Sequence, residues 1–232
     1  MGAKVSKTRS GGIAKRAATS LATLLGLLLL STTFAPELLA WPYKVQRGNT
    51  VVYAERPIPP QIGLVLARAD RLLAQSPLND RAMKRRIFLS DGGWRWRVAA
   101  LTSAGAFGLR RPFRDAILFN RSDISADRVT NGREVGGVRT LSGTIAHELT
   151  HILVARRLGE IRARLLPTWK QEGYADHVAR ESSLSPAQYR ALKASGADHP
   201  ALPYYEGRLR VAEALARNGG DVEAMLRDRG GT

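Results

Sequence analysis

A chain of 232 residues has room for one domain of ordinary size plus a tail and can bury a real core. It contains no cysteine, which excludes disulfide stapling and thiol chemistry. A net charge of +16 would draw it to anionic lipid headgroups, acidic envelope polymers or nucleic acid, yet no nucleic-acid motif is visible, since Lys84-Arg85-Arg86 and Arg110-Arg111 lack the interleaved aromatics of a base-stacking platform.

Residues 1 to 16 carry Lys4, Lys7, Arg9, Lys15 and Arg16 and no acid. Residues 17 to 35 then run uncharged through Leu21, Leu24, Leu25 and Leu27 to Leu30. A basic flank followed by an apolar centre reads as an export signal, with Ala40 as candidate cleavage position. Nineteen uncharged residues also just suffice to span a bilayer, so an uncleaved anchor is the other reading. In both, the positive flank stays in the cytoplasm and the remainder crosses the membrane. Residues 1–40 are thus predicted to be a signal peptide or N-terminal membrane anchor, and 41–232 a single domain, periplasmic or extracellular. Past residue 40 the chain holds 31 basic and 19 acidic residues, so the exported part is itself basic. A solvated, arginine-rich surface is the plain account of that charge; an anionic membrane or envelope surface is the partner it would suit.

From Trp41 to about Asn131 an α/β lobe is predicted. Thr50 to Ala54, Arg86 to Ser90 and Ala116 to Asn120 look like strands, rich in β-branched and aromatic residues and bounded by Gly or Asp. Gln61 to Gln75 places Ile62, Leu66, Ala69, Leu72 and Leu73 at helical spacing after Pro59-Pro60. Asp91-Gly92-Gly93 marks a turn.

The chemistry is concentrated in Thr144-Ile145-Ala146-His147-Glu148-Leu149-Thr150-His151. A helix advances about 100° per residue, so His147 and His151 project from one face and can grip a single metal ion. Glu148, adjacent to that pair, is placed to act as general base on water at the metal. Thr140 or Ser142 can cap the helix, Arg156 and Arg157 suit its negative end, and Gly159 can stop it. With only four histidines and ten glutamates in the chain, this His-Glu-x-x-His pattern is poorly explained by chance.

Catalytic zinc takes three protein ligands and leaves one position open, which requires a third donor. Glu172 is the best candidate. It lies on a helix predicted to start at Pro167 or Thr168, and Asp176, one turn on, can accept a hydrogen bond from the far nitrogen of a ligating histidine. The remainder is predicted to be helical, with starts at Ser185-Pro186, Tyr204 and Asp221.

At these residues the chain resembles the gluzincin zinc metallopeptidases, the grouping that includes thermolysin and aminopeptidase N. The resemblance covers about residues 140 to 220. It implies a zincin-like α+β core, with a small N-terminal mixed-sheet lobe, a helical C-terminal lobe and an active-site cleft between them. It implies Zn2+ held by His147, His151 and Glu172, with Glu148 as base. Glu172-x-x-x-Asp176 is similar to the thermolysin pattern, whereas Glu172-Gly173-Tyr174-Ala175 looks more like the aminopeptidase one. No Gly-Ala-Met-Glu-Asn stretch precedes the site. Tyr204-Tyr205-Glu206-Gly207 resembles the Tyr-x-Lys-Gly of the aminopeptidase branch, with Glu206 in place of lysine, and implies Tyr204 as donor to the oxyanion; Tyr205 and His199 are the other candidates. The resemblance also implies that the strand shortly before the zinc helix, here Ala116 to Asn120, is a sheet edge to which an extended peptide adds. His177 is expected to have a surface or packing role.

The sequence therefore predicts an exported zinc metallopeptidase acting on peptide or protein substrates. The reading from another class is a non-catalytic zincin-fold scaffold that binds an anionic envelope partner through its basic surface.

Overall fold

The computed structural model describes residues 10 to 228, which divide into two compact units, one ending at Ala40 and the other starting at Trp41. Lys4, Lys7 and Arg9 of the basic flank lie outside the described residues. The first unit consists of helix α1 (Ser10–Phe34) and a 3-10 turn, Pro36–Leu39. Along α1, the hydroxyls of Thr19, Thr23 and Ser31 donate to carbonyls four residues earlier, so these polar groups find partners within the helix itself. Leu21, Leu24 and Leu27 are exposed. Among the described residues no helix is long and apolar enough to cross a membrane.

The second unit mixes strands and helices, and its order is the reason for its core. Strands β1 (Tyr43–Arg47) and β2 (Thr50–Ala54) form a hairpin, helix α2 (Ile62–Leu73) follows, and β3 (Arg85–Leu89) returns parallel to β2. A parallel return needs a crossover, and α2 supplies it by burying Ile62, Val65, Leu66, Ala69 and Leu73. Tyr53 stacks on Phe88, with ring centroids 4.7 Å apart, and Trp41 tilts against the same ring at 5.4 Å. Helix α3 (Trp94–Ala100) then leads to β4 (Gly108–Arg110) and β5 (Ala116–Phe119). The sheet order is β1-β2-β3-β5-β4.

This order corrects one expectation. The strand Ala116–Phe119 is not an edge: it lies between β3 and β4, with all four residues buried, as its continuous apolar run befits. The edge on that side of the sheet is β4, a three-residue strand with a glycine at its start, too short to announce itself in the sequence; β1 forms the opposite edge.

A second sheet of three short strands follows, β6 (Arg121–Asp123), β7 (Arg128–Thr130) and β8 (Val138–Thr140), all antiparallel. Strand β8 runs straight into α4 (Leu141–Leu158), whose first turn is capped by Thr140 Oγ1 accepting from the Gly143 amide at 3.0 Å. Arg156 and Arg157 sit in its last turn, and Gly159, at φ 86°, ends it. Almost all of α4 from Leu141 to Ala155 is buried, because α2, α6 (Thr168–Ala179) and strands from both sheets surround it. Helices α5 (Glu160–Arg164), α7 (Pro186–Ser195), α8 (Leu202–Arg217) and α9 (Val222–Arg227) complete the chain.

Helices α6 and α8 cross at two glycines. A Cβ on Gly173 would lie 2.4 Å from the carbonyl carbon and oxygen of Gly207, and one on Gly207 would lie 3.1 Å from the Cα of Trp169. Nearby, the Tyr174 hydroxyl meets Ser76 Oγ at 2.7 Å, tying α6 to the loop that follows α2.

Candidate metal centre

Helix α4 presents His147 and His151 one turn apart, and α6 brings Glu172 to them. Nε2 of His147 lies 3.1 Å from Nε2 of His151 and 3.3 Å from Glu172 Oε2, and the third side, His151 Nε2 to Glu172 Oε2, is 3.6 Å. The rest of His147 decides what that triangle can hold. Its Nδ1 lies 2.8 Å from Asp176 Oδ1, and a carboxylate there fixes the ring proton on Nδ1 and leaves the Nε2 lone pair facing the other two donors. Three lone-pair atoms so close repel one another unless a proton or cation lies among them. Three corners of a tetrahedron held about 2.1 Å from one ion stand about 3.4 Å apart, so the triangle has the size that zinc demands. Two imidazoles and a carboxylate are also a donor set that zinc favours.

The surrounding charge agrees. Burial works against a proton on His147, but Asp176 and Glu172 outweigh it and push its pKa up to about 10. Burial likewise opposes ionisation of Glu172, yet the imidazoles of His151 and His147 hold its carboxyl well below the usual range. The site therefore pulls strongly on positive charge, and a metal entering it displaces a proton.

Asp176 is itself secured by a residue that the sequence did not single out. Arg139, on β8 just before the α4 cap, is buried and reaches Asp176 Oδ1 at 2.8 Å. Burial would raise the Asp176 pKa, but the Arg139 charge and the His147 contact hold it low, so the carboxylate stays ionised under His147. Arg139 also donates to the Glu181 carbonyl, while the Glu181 side chain accepts from the Thr140 amide and hydroxyl. The α4 cap and the support of His147 thus belong to one polar network. In a chain with 36 lysines and arginines, nothing in the sequence marks Arg139.

The triangle opens onto a cleft of about 590 Å³ lined by β4 and the segment before it, by α4 and α6, and by Tyr204 of α8. Glu148 faces this cleft against Gly108, where an added Cβ would lie 3.1 Å from its Oε1. Among the described residues the Glu148 carboxylate has no hydrogen bond or ion pair. Strand β4 also offers its backbone. Asn120 donates to the Phe107 carbonyl and Arg111 to the Ala116 carbonyl, so by antiparallel alternation the amides and carbonyls of Gly108 and Arg110 point away from β5, toward the open edge.

The other candidates separate cleanly. Tyr204 lines the cleft, whereas Tyr205 stacks on Tyr189 at 4.2 Å and faces elsewhere. Burial and the carboxylates of Glu172 and Asp176 raise the Tyr204 pKa, which keeps its phenol protonated and able to donate. His199 does not line the cleft; its Nδ1 accepts from the Ala201 amide at 3.2 Å in the turn before α8. His177 stacks on Tyr174, away from the triangle, and burial lowers its pKa.

No protein-family model, curated protein or solved structure matches this chain.

Proposed function

We propose that the protein is an exported zinc-dependent peptidase of gluzincin-like, zincin-type architecture. The observation that carries this reading is the meeting of His147, His151 and Glu172, whose ligand atoms all lie within 4.8 Å of one another, at a cleft that Glu148 faces with a free carboxylate. Zinc bound there would supply Lewis acidity toward a carbonyl and make water acidic enough to react at neutral pH.

The chain's own groups account for the remaining steps. An extended peptide pairs with the outward amides and carbonyls of Gly108 and Arg110, which recognise main chain regardless of side chain and hold the scissile bond beside Glu148. Glu148 takes a proton from the attacking water and passes it to the leaving amine. Tyr204 donates a hydrogen bond from its phenol to the carbonyl oxygen as negative charge develops there, a contribution typically worth about 3 kcal/mol for an oxyanion donor. Export is supported by the basic residues Lys4 to Arg16 followed by the uncharged, leucine-rich run of residues 17–35, which together have the layout of a leader.

Two measurements address the metal directly. Mass spectrometry of the purified chain should find one zinc per molecule and of Glu172→Ala substantially less than one, since two imidazoles alone hold zinc weakly; equal occupancy would remove Glu172 from the ligand set. Asp176→Asn should weaken zinc binding by about 10- to 100-fold, the usual effect of losing a carboxylate behind a ligating histidine. Competition with a chromophoric chelator reads that change, and an unaltered affinity would reduce Asp176 to a packing role.

A further inference from the structure

The walls of the cleft are unevenly charged. Among the described residues, besides Glu148 and Glu172, which belong to the centre itself, no carboxylate lines it, whereas Arg110, Arg133, Arg139 and Arg164 do. Three of these have acidic partners. Arg110 makes a two-pronged pair with Glu160 at 2.8 and 3.0 Å, Arg139 pairs with Asp176, and Arg164 stands 3.9 Å from Glu160. Arg133 differs: among the described residues its guanidinium has no hydrogen bond or ion pair, and its neighbour Glu134 does not line the cleft.

Its position is nonetheless well defined. Arg133 sits in the loop joining β7 to β8, which folds back tightly on itself. The Asn131 amide donates to the Gly137 carbonyl, the Arg133 amide donates to Asn131 Oδ1, and a Cβ on Gly137 would collide with the Arg133 carbonyl at 1.8 Å. Asn131 Nδ2 also donates to the Gly105 carbonyl at 3.0 Å, which fastens this loop to the segment leading into β4. The Arg133 side chain lies across Gly105, its guanidinium nitrogen 3.5 Å from where a Cβ there would be. A peptide laid along β4 past Gly108 therefore meets Arg133 at the Gly105 end of the cleft.

We propose that Arg133 is a substrate-binding residue that selects a carboxylate, making acidic peptides the substrate class of this cleft. The proposal rests on the peptidase reading for the chemical steps after binding, but binding itself does not require turnover. The carboxylate has two sources: an Asp or Glu side chain, or the C-terminus of the peptide. A guanidinium holds either through paired N–H donors, and because Arg133 is exposed such a pair favours the acidic ligand by about two- to fivefold.

The test uses the zinc-loaded full chain carrying Glu148→Gln, with fluorescent eight-residue peptides whose residues are Asp, Asn or Lys at one scanned position and whose C-termini are free or amidated. Anisotropy should show about two- to fivefold tighter binding of the Asp peptide than of its Asn counterpart at one position, weakened by salt. If the preference instead follows the free C-terminus, the terminal carboxylate is the source. In either case it should vanish with Arg133→Gln and turn toward Lys, or toward the amidated ends, with Arg133→Glu. Equal affinity for all peptides, a preference that survives Arg133→Gln, or no binding of any peptide overturns the proposal. The parent chain assayed in parallel separates the two readings: an Arg133-dependent preference without cleavage by that chain removes the peptidase reading and leaves the carboxylate site standing, whereas cleavage without the preference does the reverse.

Discussion

Glu148→Gln is expected to lower peptide turnover by about 10²- to 10⁴-fold while leaving zinc content and thermal stability unchanged, the range associated with removing a positioned general base. The substitution suits the question because the Glu148 carboxylate makes no hydrogen bond or ion pair among the described residues, so its exchange for an amide breaks neither. An amide has nearly the same shape but cannot accept the proton of the attacking water. Mass-spectrometric profiling of an unbiased peptide library, with and without a chelator, gives the readout. Retained hydrolysis by the variant would sink the mechanism. If the parent chain itself cleaves nothing and instead binds anionic polymer in a salt-sensitive way, the scaffold reading replaces the enzymatic one.

How legible this site is in the sequence depends on how local each feature is. The pairing of His147 with His151 is a property of one helix, as are the Thr140 cap and the Gly159 stop, and all three are legible from spacing and residue type. Asp176 could be placed behind a histidine because it lies one helical turn from Glu172 on α6. The hidden features are pairings between segments remote in sequence. Arg139 meets Asp176 across 37 positions, and only the fold shows that one arginine among many is the buried one. Strand β4 is read as an edge only once β5 is seen to be interior, and its Gly-Leu-Arg has no strand signal of its own. Strands β6 to β8 are equally short, and the loop that holds Arg133 depends on an Asn131 contact with Gly105 that no periodicity announces. Local periodicity thus supplied the reactive residues, and long-range packing supplied what orients them and what walls the cleft.

Gly173→Ala should be the most destabilising glycine substitution in α6 and α8, and it should also reduce turnover. The added Cβ would lie 2.4 Å from the Gly207 carbonyl group and 3.0 Å from the Arg208 amide. These are backbone atoms in a helix and cannot rotate aside, so the helices themselves must separate. Overpacking of this kind typically costs about 1–3 kcal/mol, and a collision with main chain belongs at the upper end. For a domain of this size about 3 kcal/mol corresponds to a fall in Tm of about 6–12 °C. Two other glycines calibrate the effect. Gly207→Ala brings its Cβ only to 3.1 Å from the Trp169 Cα and should cost about 1 kcal/mol. Gly63→Ala, within α2 and with nothing inside 4 Å, should be stabilising by about 0.5–1 kcal/mol, because alanine has less freedom to lose on entering a helix. The catalytic consequence comes from position along the two helices. Glu172 directly precedes one crossing glycine and Tyr204 lies one turn before the other, so spreading α6 from α8 moves the proposed metal ligand and the proposed phenol donor apart. A thermal series in the order Gly63→Ala, Gly207→Ala, Gly173→Ala from most to least stable, with turnover falling alongside, would tie the close crossing to the chemistry. If Gly173→Ala is as stable as Gly63→Ala, the helices do not approach this closely, and the reason a glycine follows Glu172 lies elsewhere.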